Sequence, residues 1–206
     1  VTTSLVPLML DLTVVICRDD IKREPGHYLR EINKQHINLI KITPSYFKVL
    51  LHETKNDFVA LPHLSHIILG GENLPALDCI SWLNLYPKHQ LINEYGPTEA
   101  TVAVSQYTVC HDNLAQLTTF GASVPIGTPG PNMTCLILDV DHHLTQEGNV
   151  GELHIGGDCL ARGYINQPDL TQERFINNPF DNNQEARLYK TGDLCLQLPN
   201  GIIQYV

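Results

Sequence analysis

Three short segments of the chain contain the residue types that bind nucleotides. They are Gly70–Glu72, Glu94–Glu99 and Tyr189–Asp193, and each contains at least one glycine and an acidic residue. Glu94–Glu99 combines an aromatic ring that can stack on a base, a glycine that admits a ligand close to the backbone, a threonine hydroxyl and a carboxylate that can hold Mg²⁺. An ordinary turn with a solvated glutamate explains the same residues equally well, so this segment is a candidate nucleotide site that needs further support.

The Thr-Gly-Asp sequence that ends at Asp193 offers a carboxylate that can accept hydrogen bonds from both hydroxyls of a ribose. The histidine pairs His63/His66 and His142/His143 have no further metal-ligand cluster at a suitable spacing, so we expect surface residues there. Neither a Walker loop nor a Gly-x-Ser-x-Gly elbow is present. P-loop phosphoryl transfer and α/β-hydrolase chemistry therefore lose their main support.

The first half of the chain alternates short β-branched runs with helical patterns, which predicts a parallel sheet flanked by helices. Ligands of such sheets bind beyond the carboxyl ends of the strands, where the glycine-containing segments lie. Thr43 and Pro44 predict the start of a helix, because threonine caps a helix and proline suits its first turn. The predicted strands are Leu12–Cys17, Ile37–Ile42, Ser65–Leu69 and Gln90–Tyr95, and the other predicted helices are His27–Gln35 and Ala76–Leu85.

The second half is richer in strand patterns and turn signals. We therefore expect an α/β fold, in which a parallel-sheet α/β layer over residues 1–108 is followed by a β-rich, barrel-like section over residues 109–206. The predicted strands of this half are Thr101–Val109, Thr134–Val140, Gly151–Ile155 and Leu194–Leu198.

The composition is that of a folded, acidic protein. Lys and Arg number 13 against 22 Asp and Glu, which gives a formal net charge of −9, and no basic run is present. We therefore expect neither nucleic acid nor an anionic membrane as a partner. The longest apolar stretch, Leu5–Cys17, contains Asp11 and is too short to cross a bilayer. Six cysteines without a Cys-x-x-Cys spacing predict reduced thiols and a cytoplasmic location.

Four strings occur in a definite order: Leu69–Pro75 (Leu-Gly-Gly-Glu-Asn-Leu-Pro), Asn93–Val102 (Asn-Glu-Tyr-Gly-Pro-Thr-Glu-Ala-Thr-Val), Gly151–Tyr164 with its continuation Pro168–Phe175, and Tyr189–Leu194 (Tyr-Lys-Thr-Gly-Asp-Leu). In sequence, order and spacing they resemble the adenylation domain of nonribosomal peptide synthetases, a member of the AMP-binding, adenylate-forming superfamily. The resemblance covers nearly the whole chain. Gln167 stands where arginine is common in the family, which we interpret as a tolerated variation.

The resemblance implies an enzyme that activates an amino acid. Such domains bind ATP, Mg²⁺ and an amino acid, form an aminoacyl adenylate and release pyrophosphate. They then transfer the acyl group to a phosphopantetheine thiol. The implied partners are the amino acid and the peptidyl carrier and condensation domains of the same synthetase, within secondary-metabolite biosynthesis. The fold implied is that of the large N-terminal subdomain of adenylate-forming enzymes.

The resemblance also assigns roles where residues match the family's strings. Tyr95 would stack on adenine, and Asn93 would help to bind its edge. Thr98 would contact the α-phosphate and Glu99 would hold Mg²⁺, which makes these two the catalytic residues. Asp193 would accept from the ribose hydroxyls. The remaining residues implied to bind ATP or AMP are Gly71, Glu72, Glu94, Gly96 and Tyr205.

Both ends of the chain look cut, because it begins without Met and stops inside the apolar run Ile202–Val206. We therefore expect a piece of a longer polypeptide. By the resemblance, the family's phosphate loop and the aspartate that binds the substrate amino group would precede Val1. The hinge and the small lid subdomain with its catalytic lysine would follow Val206. The chain alone is then expected to be inactive.

Seven positions would line the amino-acid pocket by this resemblance: Thr2, Lys41, Ile68, Gly70, Glu94, Val102 and Ala103. Lys41 supplies a donor and Glu94 an acceptor, a combination that suits the primary amide of asparagine and is less favourable for aspartate. Glutamine and other residues stay open. Alternatively, the two side chains form an ion pair without reading a substrate, or Lys41 extends to solvent. Ala103 stands where asparagine pockets of the family more often have glycine.

Two other functions remain open at this point. One is an acyl-CoA or aryl-acid ligase of the same superfamily, which shares the Tyr-Gly-x-Thr-Glu and Thr-Gly-Asp sequences. The other is a nucleotide-binding remnant without catalysis. The string Asn93–Val102 and the sequence Leu-Ala-Arg-Gly-Tyr that ends at Tyr164 favour the peptide synthetase over the ligase.

Overall fold

The chain folds into two compact units. The computed structural model describes residues 5–206. The first unit comprises the chain up to Ile92 together with Thr108–Val124, and the second comprises Asn93–Tyr107 and Pro125–Val206. The expected subdomain ranges, 1–108 and 109–206, remain a prediction.

The first unit is an α/β layer. Its helices are α1 (Leu5–Met9), α2 (Asp19–Arg23), α3 (Pro25–Lys34), α4 (Pro44–Asn56), α5 (Ala76–Leu85) and the single turn α6 (Leu114–Leu117). Its strands are β1 (Leu39–Ile42), β2 (His66–Gly70) and the first residues of β3 (Gln90–Tyr95). Strands β1 and β2 are parallel, with Lys41 opposite Ile68. The expected α/β fold is confirmed.

Helix α4 begins where the sequence predicts. The Thr43 hydroxyl accepts a hydrogen bond from the Tyr46 amide at 3.3 Å, and Pro44 is the first helical residue. The buried face of α4 carries Phe47, whose ring centroid lies 5.0 Å from that of Trp82 in α5. Because buried aromatic rings remove large apolar areas from water, this contact joins the two helices in the core of the first unit.

The prediction of a strand over Leu12–Cys17 is wrong. No strand forms there within residues 5–206, and Ile16 is 91% exposed. A run of β-branched residues becomes a strand only when a neighbouring strand satisfies its backbone groups, and a short apolar run does not reveal whether that neighbour exists.

The second unit contains the rest of β3, then β4 (Ser105–Val109), β5 (Thr128–Pro129), β6 (Met133–Leu138), β7 (Val150–Gly157), α7 (Pro168–Arg174), β8 (Phe175–Asn177), β9 (Arg187–Gln197) and β10 (Ile203–Tyr205). The last residues of β4 belong to the first unit. An antiparallel sheet has the order β10–β9–β7–β6, and β8 pairs with β9. Strands β4 and β5 also pair antiparallel in this unit, with Ser105 opposite Pro129. The expected change to β-rich structure in the second half is therefore present.

Alternate side chains of β7 belong to the core of the second unit. Leu153 and Ile155 pack among the buried apolar residues of that unit, together with Cys195 of β9 and Ile203 of β10. His154, between the two, is also fully buried. Among residues 5–206, no helix has both the length and the apolar character that crossing a membrane requires.

The strand expected over Thr101–Val109 is shorter than predicted, because it begins at Ser105. Thr101 and Val102 have positive φ angles of 60° and 71°. Side chains with a Cβ rarely adopt this left-handed conformation, and β-branched residues least of all. The turn that precedes β4 therefore overrides the β propensity of its residues.

Candidate functional site

A tight turn follows β3 and carries several of the candidate nucleotide residues. The Pro97 carbonyl accepts from the amides of Ala100 and Val102, both at 3.1 Å. Thr98–Ala100 forms one turn of 3₁₀ helix. A Cβ on Gly96 would lie 2.6 Å from the Val102 carbonyl oxygen, which is closer than atoms can approach. Glycine at position 96 is thus a steric requirement of the turn.

Tyr95 and Asp193 meet in the second unit, although 98 residues separate them in sequence. The Tyr95 hydroxyl donates a short hydrogen bond to Asp193 Oδ2. Burial, and then this bond to a carboxylate, raises the pKa of the Tyr95 phenol, which therefore stays protonated and donating. The residues predicted to bind adenine and ribose are thereby brought together.

The part of β9 that carries Asp193 is held by hydrogen bonds to β7. The Thr191 hydroxyl donates to the Leu153 carbonyl at 2.7 Å and accepts from the Asp193 amide at 3.0 Å. The Gly192 amide donates to Glu152 Oε1 at 3.0 Å, and Gly192 has a φ of +80°. Three hydrogen bonds therefore fix the backbone on which the Asp193 carboxylate is mounted.

Glu99 lies beside two tyrosines. The Tyr164 hydroxyl donates to Glu99 Oε1 at 2.7 Å, and the Tyr189 hydroxyl lies 3.5 Å from that of Tyr164. The bond from Tyr164 holds the pKa of the Glu99 carboxyl below its ordinary value, and it outweighs the opposite effect of partial burial. Glu99 is therefore ionised at neutral pH.

The Glu99 carboxylate fits a hard divalent cation. Mg²⁺ is typically held by one or two carboxylates together with substrate phosphates, and not by a complete cage of protein ligands. Glu99 is ionised, half-buried and bonded by Tyr164 through Oε1. A single ionised carboxylate beside Thr98, the residue predicted to contact a phosphate, is a donor set that suits such a metal.

The other residues of the second unit that were predicted to bind ATP or the amino acid differ in their burial. The Asn93 side-chain amide is buried and donates to the Pro125 carbonyl at 2.8 Å. Thr98 is exposed at the start of the 3₁₀ turn. Tyr205 is 44% exposed and lies opposite Cys195 in the β9–β10 pair. Among the remaining predicted residues, Val102 and Ala103 belong to the turn before β4, and Glu94 is half-buried in β3.

Three residues predicted for the amino-acid pocket lie together in the first unit. Lys41 is opposite Ile68 in the parallel pair β1–β2, and Gly70 follows two residues after Ile68. Because side chains alternate along a strand, these positions share one face of the sheet. Thr2 lies outside the described residues.

The segment Gly70–Glu72 contacts the N-terminus of helix α4 in the first unit. Gly71 has a φ of +85°, which favours glycine. Glu72 Oε2 accepts from the Ser45 amide at 2.8 Å and from the Ser45 hydroxyl, and these bonds hold the pKa of the Glu72 carboxyl below its ordinary value. Glu72 therefore supplies an anionic cap at the N-terminus of α4.

Sequence reasoning missed three residues that position the predicted nucleotide-binding residues through hydrogen bonds. Glu152, Tyr164 and Tyr189 all lie within the strings that carry the family resemblance, yet none of them received a role. Their position in these strings was the available signal. Their partners lie tens of residues away, as in the Glu99–Tyr164 pair with a separation of 65 residues.

The expectation that no carboxylates cluster with His142/His143 is wrong. Asp139, Asp141 and His143 place ligand atoms within 4.8 Å of one another. All three residues are exposed, and the Asp139 carboxylate accepts from the backbone amides of the other two at 2.9 Å. This geometry is that of a solvated turn.

Comparison with known proteins shows which protein family the chain belongs to. The model of the family described as "AMP-binding enzyme" matches residues 1–165. The chain belongs to this family. Its resemblance to the adenylation domains of nonribosomal peptide synthetases is confirmed by the relatives and structures below.

The chain is 35% identical over 194 residues to tyrocidine synthase 3 of Brevibacillus parabrevis, an alignment that covers 94% of this chain and 3% of that protein. It is 37% identical over 197 residues to malpinin synthetase of Mortierella alpina, covering 94% of this chain and 2% of that protein. The chain thus spans only a few per cent of the length of these relatives.

Among solved structures, the chain is similar to PA1221, which is described as an NRPS protein containing adenylation and PCP domains. The TM-score is 0.76 at 27% identity, over 88% of this chain and 35% of that one. CmiS6 superposes with a TM-score of 0.87 at 24% identity, over 98% of this chain and 47% of that one, and shows likeness of fold alone.

Proposed function

We propose that the protein containing this chain activates an amino acid with ATP. The carboxylate of the amino acid forms an aminoacyl adenylate with release of pyrophosphate, and the acyl group then passes to the phosphopantetheine thiol of a partner carrier domain. The observation that carries the proposal is the pairing of Tyr95 with Asp193, which joins the residues implied to bind adenine and ribose. Condensation domains of the same synthetase are further proposed partners, and the cytoplasm stays the predicted location.

Most of the residues proposed to bind the nucleotide belong to the second unit. The Tyr95 ring would stack on adenine while its hydroxyl keeps its bond to Asp193, whose other oxygen can accept from ribose. The exposed Thr98 hydroxyl would donate to an α-phosphate oxygen. Asn93 and Tyr205 are the proposed contacts to the adenine edge and the ribose side. The other residues proposed to line the ATP site are Gly71, Glu72, Glu94 and Gly96.

Glu99 would hold Mg²⁺. When bound, this metal neutralises charge on the phosphate oxygens and so favours attack at phosphorus. The reaction is an in-line displacement in which the substrate carboxylate bonds to the α-phosphorus and pyrophosphate leaves. For such a reaction positioning and electrostatic stabilisation dominate the catalysis. The chain's own contribution is accordingly to orient the ATP and to keep the Glu99 carboxylate ionised.

Asparagine is the proposed amino acid. The Lys41 ammonium would donate to the amide carbonyl of asparagine, and the Glu94 carboxylate would accept from its NH₂ group. Aspartate would meet Lys41 favourably but be repelled by Glu94, which makes it the next candidate. Ile68, Gly70, Val102 and Ala103, together with Thr2, are the other proposed pocket residues.

The experiment that tests the function is amino-acid-dependent exchange of labelled pyrophosphate into ATP by the full-length protein, with all twenty amino acids. Exchange dominated by asparagine supports both the activity and the substrate. Exchange led by another amino acid keeps the activity and rejects the substrate. Preference for a carboxylic acid without an amino group would identify an acyl-CoA or aryl-acid ligase. ATP binding without any exchange would identify a nucleotide-binding remnant.

The variant Glu94→His tests the substrate assignment. Replacing the carboxylate removes the repulsion of aspartate and the acceptor for the asparagine NH₂ group, so relative exchange shifts from asparagine toward aspartate, by about 10-fold or more for one charged interaction. Relative rates for the two amino acids are measured side by side. Equal ratios in the variant and the wild type would reject the role of Glu94.

A further inference from the structure

The string Gly151–Tyr164 has no role in the proposed reaction, yet its end contacts the residue proposed to hold the metal. The Ala161 amide donates to the Glu99 carbonyl at 2.7 Å. The Tyr164 hydroxyl donates to Glu99 Oε1 at 2.7 Å. Backbone and side chain of Glu99 are therefore both held by the same short segment.

The backbone of Tyr164 is itself fixed. Its amide donates to the Thr171 hydroxyl at 2.9 Å, and that hydroxyl donates to the Gln167 carbonyl at 2.8 Å. Gly163, with a φ of +146°, packs so closely on Thr171 that a Cβ would lie 2.4 Å from its methyl carbon. The first turn of α7 thus sets the point from which the Tyr164 side chain extends.

The ring of Tyr164 is held as well. It makes an edge contact with Phe175, at a centroid distance of 5.8 Å. The Arg187 guanidinium lies 5.4 Å from the centre of the Phe175 ring. Arg187 also donates to the carbonyls of Arg162 and Ala161, at 3.0 and 2.9 Å. These contacts leave the phenol little freedom, so its hydroxyl is preorganised to donate to Glu99.

A preorganised donor changes what a glutamate can do. A free glutamate side chain samples many rotamers, and ordering it when a cation binds costs entropy. A bond to Oε1 removes part of that cost beforehand, while Oε2 keeps its acceptor capacity. Partners that orient a metal ligand in this way commonly change metal affinity or activity about 10- to 100-fold.

We propose that Tyr164 is the positioning residue of Glu99, and that its phenol holds one carboxylate oxygen so that the other serves the Mg²⁺ that accompanies ATP. The inference rests on the proposed function, because Glu99 is the metal ligand only if the protein binds Mg²⁺ and ATP. Tyr164 does not itself touch substrate.

The test is equilibrium binding of ATP to full-length Tyr164→Phe, by calorimetry, with Mg²⁺ and with EDTA, in the absence of amino acid. The wild type binds ATP more tightly with Mg²⁺. The Mg²⁺ gain is the ratio of the ATP dissociation constant in EDTA to that with Mg²⁺. In Tyr164→Phe this ratio falls about 10-fold, while the dissociation constant in EDTA is unchanged. An unchanged ratio in a folded variant would overturn the inference.

The matched control is Tyr86→Phe, which removes a hydroxyl that donates to the Val59 carbonyl at 2.8 Å in the first unit. It leaves the Mg²⁺ gain at the wild-type value. If Tyr164→Phe does not fold, Thr171→Val takes its place, because it keeps the phenol but removes the oxygen that accepts from the Tyr164 amide. Thr171→Val lowers the gain in the same direction, and a wild-type gain in that variant counts against the inference.

A double-mutant cycle separates positioning from a general structural effect. In a Glu99→Gln background, Tyr164→Phe changes the Mg²⁺ gain by less than about 2-fold, because a residue that acts through Glu99 has nothing left to position. A full additional loss would show that Tyr164 acts by another route. Absence of any Mg²⁺-dependent ATP binding in the wild type would reject the proposed function instead, so the two failures are distinguishable.

Discussion

At the scale of single residues, three carboxylates among the residues predicted to bind ATP accept hydrogen bonds from neutral hydroxyl groups. Tyr95 bonds Asp193, Tyr164 bonds Glu99, and Ser45 bonds Glu72. A hydroxyl donor stabilises a carboxylate without neutralising it, whereas a lysine or arginine would cancel the charge that a cation needs. The geometry around Glu99 therefore suits a metal ligand better than a structural ion pair.

The variant Glu99→Ala tests whether Glu99 is the metal ligand. Removing the proposed metal ligand lowers Mg²⁺-dependent exchange at least about 100-fold, because even an outer partner of a metal ligand is commonly worth 10- to 100-fold. The rate is measured over a Mg²⁺ titration in the full-length protein. Glu173→Ala is the control, since Glu173 is a surface glutamate with 65% of its side chain exposed. A Glu99→Ala protein with the wild-type rate and metal dependence would refute the assignment.

At the scale of elements, the site depends on a turn after β3 that local propensity opposes and on an irregular segment of β9 that requires a positive φ. The turn after β3 places Thr101 and Val102 in the left-handed region and brings the Val102 carbonyl against Gly96. In β9, opposite the shift in register with β7, Gly192 has a φ of +80°, which glycine adopts readily. Strained conformations persist only where the surroundings hold them, as the Thr101 hydroxyl does by donating to the Cys159 carbonyl at 2.6 Å.

The variant Gly96→Ala tests the turn after β3. Its new methyl group collides with the backbone of Val102, so the free energy of unfolding falls by about 1–3 kcal/mol and ATP binding weakens with it. Thermal unfolding and calorimetry measure the two effects. Gly130→Ala is the matched control, because its nearest atom, Met133 Sδ, would lie at an ordinary 3.5 Å. Equal stability of the two variants would contradict the steric argument.

At the scale of the whole molecule, each unit buries a neutral histidine. In the first unit, Trp82 Nε1 donates to His89 Nδ1 at 3.2 Å, so His89 Nε2 carries the proton and donates to the Leu61 carbonyl at 3.2 Å. In the second unit, His154 Nδ1 lies 3.0 Å from the Glu152 carbonyl, while Nε2 has no partner. Burial lowers the pKa of both imidazoles.

Both histidines make the protein less stable in mild acid. A histidine whose pKa is lowered by folding binds fewer protons than in the unfolded chain, so stability is complete above the unfolded pKa of about 6.5 and is lost as the pH falls below it. Unfolding temperatures therefore fall between pH 7 and pH 5, by about 2–4 °C for each kcal/mol lost. Carboxyl groups with lowered pKa values act only in stronger acid, near and below about pH 4.

The measurement is thermal unfolding as a function of pH. Trp82 is the only tryptophan, so its fluorescence reports on the first unit and on the neighbourhood of His89. His154→Leu removes a buried atom without a partner, and its unfolding temperature depends less on pH than that of the wild type. A His154→Leu protein with unchanged pH dependence would show that burial does not perturb this group.

Local signals in the sequence were sufficient for several elements. Helix α5 and strand β3 have the predicted bounds, Ala76–Leu85 and Gln90–Tyr95, and Thr43 caps α4 as expected. Such features depend on residues a few positions apart. The strand predicted over Leu12–Cys17 does not form, because a strand needs a neighbouring strand that its own residues do not specify.

The amino-acid sequence by itself determined the α/β class, the family and the short strings in which Tyr95, Glu99 and Asp193 stand, because these depend on residue types at short spacing. Only the tertiary structure decided how these side chains are held. The Tyr95–Asp193 and Tyr164–Glu99 bonds close loops of 98 and 65 residues. No short-range pattern encodes such pairs, since many arrangements of the same elements satisfy local propensity equally well, and packing of the core selects one.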